Sequence, residues 1–125
     1  MATEESVERN SSLLEAVSSA LVRLHKEQFG RGPTRSRSHF TSDDGLVCVL
    51  RDALLPAERK MVKLGQQERV RETRGAFQAA AREEFVAATE AIVDREVIAF
   101  ASAVDPDRGI VFENFLFAPR DSGSS

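Results

Sequence analysis

A helical run that ends in Gly30-Arg31-Gly32-Pro33 constrains this chain more than any other feature. From about Val7 to Phe29 the apolar residues Val7, Leu14, Val17, Leu21 and Leu24 fall mostly at helical spacing. The two glycines stop a helix there, and Pro33 blocks its resumption. Beyond the break the period changes. Thr34–Phe40 alternates Arg35, Arg37 and His39 with Thr34, Ser36 and Ser38, the pattern of a strand. Ser42-Asp43-Asp44-Gly45 reads as a turn in which Gly45 supplies a positive φ. Leu46–Arg51 then returns as an apolar partner strand, so one long helix feeds a hairpin whose first strand is basic.

The second half repeats that plan. Pro56 opens a short helix ending at Leu64, with Gly65 as its cap. Gln66–Ile92 is a second long helix carrying Val70, Phe77, Ala81, Phe85, Ala88 and Ile92 on one side; Gly75 weakens it by about 1 kcal/mol relative to Ala. Strands Val97–Val104 and Ile110–Phe117 flank the turn Asp105-Pro106-Asp107-Arg108-Gly109. A shift of 64 residues carries Gly45 onto Gly109 and Leu46-Val47 onto Ile110-Val111, but identity outside the turns is poor. An αββ–αββ duplication and chance similarity both stay open. The expected fold is α+β: a two-layer sandwich of a four-stranded antiparallel sheet with two long helices and one short helix. Residues 6–119 form its single domain, with 1–5 and 120–125 disordered. Leu14, Val17, Leu21 and Leu24 step by 3, 4 and 3, a seam that fits packing on a sheet or contact with a second copy in a homodimer.

Composition narrows the functional classes. Apolar residues make up 42% and charged residues 30%, ordinary for a globular domain. Tyr and Trp are absent, so eight Phe carry all the aromatic bulk without a polar handle. A net charge of −3 argues against indiscriminate nucleic-acid binding while leaving room for a local basic patch. Cys48 has no internal partner and reads as a small buried apolar residue within Leu46–Leu50. The acidic N-terminus lacks a signal h-region. No apolar run approaches the roughly 18–20 residues that span a bilayer. The expectation is a cytoplasmic protein with no direct membrane insertion.

The strongest local chemistry is the basic cluster Arg23, Lys26, Arg31, Arg35 and Arg37, relieved by Glu27. Gly-Arg-Gly-Pro-Thr-Arg can present N–H groups and guanidinium forks to a phosphate, carboxylate or bicarbonate. It can equally be a helix C-cap whose cations complement the dipole. It is not a P-loop, because the glycines follow a helix rather than a strand and the required Lys-Ser/Thr is missing. Arg69, Arg71 and Arg74 with Glu68 and Glu72 read as a solvated helix face. His25 and His39 sit on different elements without a third ligand, and Asp43-Asp44 is turn chemistry. Glu83 and Glu84 point about 100° apart on one helix, and no Ser or Cys has a recognisable base. The residues call for no catalytic centre, metal or cofactor.

The run Ala20–Thr34 (A-L-V-R-L-H-K-E-Q-F-G-R-G-P-T), Leu46-Val-Cys-Val-Leu-Arg-Asp52 and Pro56-Ala-Glu-Arg59 resembles the MpsC family of small bacterial proteins. The likeness continues through Arg71-Glu72, Arg74, Phe77 and Glu84-Phe85, and so covers most of the chain. That resemblance implies an accessory role beside the membrane subunits of a sodium-translocating, membrane-potential-generating system that also bears on inorganic-carbon supply. The matching positions Gly30, Arg31, Gly32, Pro33, Thr34, Arg51 and Asp52 become candidates for a structural or recognition feature. The resulting expectation is a non-catalytic accessory or regulatory protein. It would bind an acidic partner or small anion through Gly30, Arg31, Gly32, Thr34, Arg35, Arg37 and Arg51, with membrane transport subunits as partners. Local pairing of Arg51 with Asp52 is the alternative for that strand end. The runner-up is a small-molecule sensor with a pocket of about 300 Å3 or more between helices and sheet.

Overall fold

A computed structural model describes residues 3–120. Residues 1–2 and 121–125, expected to be disordered, lie outside the described residues. The element order is α1 (Glu4–Phe29), β1 (Arg35–Ser42), β2 (Gly45–Arg51), α2 (Pro56–Lys63), α3 (Gln67–Val93), β3 (Val97–Asp105) and β4 (Ile110–Phe117). The strands form one antiparallel sheet in the order β1-β2-β4-β3, and the fold is the expected α+β arrangement with three helices.

Helix α1 starts earlier than its apolar pattern. Thr3 Oγ1 accepts from the Ser6 N–H at 3.1 Å, and Glu4 and Glu5 complement the dipole, so part of the stretch expected to fray carries an N-cap and first turn. At the other end Gly30 is left-handed (φ 78°) and its N–H returns to the Lys26 carbonyl at 2.8 Å, a cap that a Cβ would strain. The seam residues Val17, Leu21 and Leu24 are buried against the sheet together with Ala20 and His25. Packing on the sheet therefore consumes the seam.

Gly45 differs from expectation. It is not among the positive-φ glycines, which are Gly30, Gly65 and Gly109. Its constraint is spatial: an added Cβ would run into Thr41 Oγ1. Helix α2 is opened by Pro56 and by Glu58 Oε1, which accepts from the Leu55 N–H at 2.8 Å. Arg95 fastens the start of β3 to the β1–β2 turn, donating to the Asp43 carbonyl, Asp44 Oδ1 and the Ala118 carbonyl at 2.7, 2.7 and 2.9 Å.

The core lies between α1, α3 and one face of the sheet: Val17, Leu21, Leu46, Cys48, Leu50, Phe85, Val111, Phe115 and Phe117. The buried stripe of α3 is Val70, Arg74, Gln78, Ala81, Phe85 and Thr89. Phe77 is displaced to the rim, 44% exposed, with its ring edge-on to Phe29. Arg74 overturns the solvated-face reading, since it is fully buried. Its Nε and Nη2 donate to the two Glu58 carboxylate oxygens, Nη2 also reaches the Ala53 carbonyl at 2.8 Å, and the guanidinium lies 3.9 Å from the Phe29 ring centre. Among the described residues no helix is long and apolar enough to cross a membrane.

Candidate interaction surface

The structure divides the predicted site residues into two groups. Gly30, Arg31, Gly32 and Pro33 form a staple. Arg31 Nη1 donates to the Leu54 carbonyl at 2.9 Å and Nη2 to Asp52 Oδ2 at 3.2 Å. Arg59 holds the same two groups from α2, at 3.0 Å to the Leu54 carbonyl and 3.5 Å to Asp52 Oδ1. Asp52, at φ 53°, is thus gripped in a left-handed conformation by two arginines. Pro33 is buried, and the Thr34 N–H reaches the Arg51 carbonyl at 3.2 Å. The partners of Asp52 are Arg31 and Arg59, so the suggested Arg51–Asp52 pairing does not form.

Thr34, just before β1, and Arg35, Arg37 and Arg51, on the sheet face away from the helices, make up the second group. With His39 and Val49 they line a shallow cup of about 530 Å3. Strand alternation places Ser36 and Ser38 toward the helices and Arg35, Arg37 and His39 outward. Arg35 stands directly opposite Arg51 in the register, and Arg37 opposite Val49. Among the described residues none of the three arginines has an ion-pair partner, although seven such pairs form elsewhere, counting His25–Glu113. Two cations facing each other across neighbouring strands destabilise a sheet by a few tenths to about 1 kcal/mol. That cost sits on an open face where packing does not require it.

A second polar feature escaped the sequence. Ser38, Cys48, Glu113 and Ser102 lie in one transverse row across all four strands, facing the helices. Ser18 Oγ and Ser38 Oγ are 2.7 Å apart, and His25 Nε2 lies 3.1 Å from Glu113 Oε1, both ends of that pair essentially sealed from solvent. Burial, only partly offset by Ser38 and Ser18, pushes the Cys48 thiol up to about 11, so it is protonated at neutral pH. Glu113 was legible in principle, because it is in phase with Val111, Phe115 and Phe117 along β4.

The space between helices and sheet is filled by the apolar core and this row. Two other cavities open at the periphery, one beside the β1–β2 turn and Arg95, another between α1 and β1. No curated protein and no solved structure matches the chain. Over residues 9–118, which include both the staple and the basic strand, it matches the family described as Na+-translocating membrane potential-generating system (MpsC), and the chain belongs to that family.

Proposed function

We propose that this chain acts by binding rather than catalysis, as a cytoplasmic accessory protein of the MpsC type that works as a homodimer. Its docking surface is the basic outer face of β1 and β2. The observation that carries this reading is the Arg35–Arg51 opposition, with Arg37 alongside, all without counter-ions among the described residues. An acidic protein surface supplies the missing charges and removes the repulsion. Arg31 supports the surface from behind through Asp52 and Leu54. The sealed His25–Glu113 pair and the protonated Cys48 thiol favour a structural rather than a reactive role for the interior. The family description sets the context as a sodium-translocating membrane system.

The test is co-purification from the native bacterium with tagged and untagged chains expressed together. An Arg35→Ala/Arg37→Ala/Arg51→Ala variant is run alongside and checked by circular dichroism. Membrane transport subunits or the untagged chain should come down with wild type and be lost with the folded variant. Equal recovery from both overturns the basic-surface reading.

A further inference from the structure

The outer sheet face is more than its arginines. Alternation puts Val47 and Val49 of β2, Phe112, Asn114 and Leu116 of β4, and Ala99, Ala101, Ala103 and Asp105 of β3 on it. Among the described residues no helix covers these positions, and Leu116 and Ile98 are 45% and 52% exposed. The pattern across the face is graded: large cations on β1, apolar bulk on β2 and β4, and a row of alanines ending in an acid on β3.

We infer that this face is an interface between two copies of the chain, packed sheet to sheet as a two-fold sandwich. The inference rests on the binding reading above and names its partner. A two-fold axis parallel to the strands keeps each transverse row level and reverses its order. The β1 arginines of one copy then lie over β3 of the other, while β2 and β4 pack on β4 and β2. Arg37, in the row Arg37–Val49–Phe112–Ala103, meets the partner's Ala103, and the small side chain leaves room for the long one. Extending the β2–β4 register one residue past Leu50–Val111 sets Arg35–Arg51 level with Ile110–Asp105, so Arg35 meets the partner's Asp105. That acid supplies the charge missing from the Arg35–Arg51 opposition. A two-fold axis perpendicular to the strands would instead set β1 on β1, arginine against arginine.

Aligned sheets pack about 10 Å apart at roughly 30°. The angle displaces the edge strands by on the order of 5 Å, within an arginine's reach. Four strands of about eight residues present roughly 19 by 26 Å per copy, so the two faces together bury on the order of 1,000 Å2. This meets the lower bound for a specific interface.

The test is light scattering coupled to size exclusion, with sedimentation equilibrium for the dissociation constant, on the full chain. Wild type should show twice the chain mass at about 100 μM. Leu116→Glu alters an exposed side chain, so the monomer should keep its fold while the dimer weakens at least about 100-fold. Arg35→Asp and Asp105→Arg should each weaken the dimer about tenfold or more, and the double variant should return to within about threefold of wild type. A monomeric wild type overturns the inference, as does a dimer indifferent to Leu116→Glu or a charge swap that fails to restore association. A monomeric wild type that still recovers transport subunits through Arg35, Arg37 and Arg51 would leave the basic docking surface standing and remove both the homodimer and the second copy as its partner.

Discussion

Breaking the Arg74–Glu58 clamp should destabilise this protein more than any change on its surface. Arg74 is fully buried and Glu58 nearly so, and the guanidinium makes three hydrogen bonds, two to the carboxylate and one to the Ala53 carbonyl. Removing one member of a buried pair costs about 3–5 kcal/mol, because the other charge is left without a partner. Arg74→Met keeps the bulk beside Phe29 but strands both Glu58 and the Ala53 carbonyl, so a loss of about 4 kcal/mol is expected. Domains of this size are stable by about 5–15 kcal/mol, so the variant remains folded but melts roughly 15 °C lower. Adding Glu58→Leu removes the orphaned carboxylate and should return at least about 2 kcal/mol, measured by urea unfolding followed by circular dichroism. The pH dependence supplies a second readout. Burial pushes Glu58 up, but the Arg74 and Leu55 hydrogen bonds and the Arg74 charge outweigh it and hold its pKa below the ordinary 4.5. A carboxylate depressed on folding contributes stability above its unfolded pKa and loses it as pH falls through the folded value. Wild type should therefore lose stability more steeply below about pH 4.5 than Glu58→Gln does. A loss under about 1 kcal/mol for Arg74→Met, with no recovery in the double variant, would refute the buried-clamp account.

Three further outcomes follow from the geometry. Arg51→Ala should raise the monomer's stability by a few tenths to about 1 kcal/mol in urea unfolding at low salt, because it relieves the facing Arg35; an unchanged or lower midpoint would show that the pair does not repel. Gly30→Ala should cost about 1–2 kcal/mol, since it forces a Cβ into a left-handed cap at φ 78°, and a thermal melt within error of wild type would contradict that. Raising the Cys48 thiol from 9.0 to about 11 cuts its thiolate fraction at pH 8 about 100-fold, so iodoacetamide should label native protein at least that much more slowly than protein in urea; comparable rates would show an open core.

The architecture was legible because its boundaries are local. Gly30-Arg31-Gly32-Pro33, Pro56 and the two turn regions punctuate the chain, and the observed elements fall within a few residues of those marks. Side-chain partners were less accessible, because they depend on which elements meet. Arg74 looked solvated beside Arg71 and Glu72, yet it shares the helical phase of Val70, Ala81 and Phe85, and α2 brings Glu58 to it. His25 looked isolated because Glu113, its partner, is 88 residues away. The basic cluster was visible as charge but not as two structures. Only the fold separates Arg31, turned inward to Asp52 and Leu54, from Arg35 and Arg37 on the open sheet face.

The two faces of the sheet manage unfavourable chemistry in opposite ways. On the helix-covered face, polar groups are set into the core, and most are answered there: Ser18 by Ser38, His25 by Glu113, Arg74 by Glu58. Ser18–Ser38 ties α1 to the strand that follows it and Arg74–Glu58 ties α3 to the helix before it, while His25–Glu113 joins α1 to β4 across 88 residues. The outer face breaks local rules without an internal answer, placing Arg35 opposite Arg51 and leaving Leu116 and Ile98 in water. A sequence is expected to agree with its fold at every level, and sites of disagreement are those shaped by something besides folding. Nothing in the monomer's packing needs an arginine at position 35, 37 or 51, since all three are exposed. Their placement on the uncovered face, beside apolar positions that water hydrates poorly, agrees with the docking proposed there, whereas the arginine of the Gly-Arg-Gly-Pro turn already holds Asp52 and the Leu54 carbonyl.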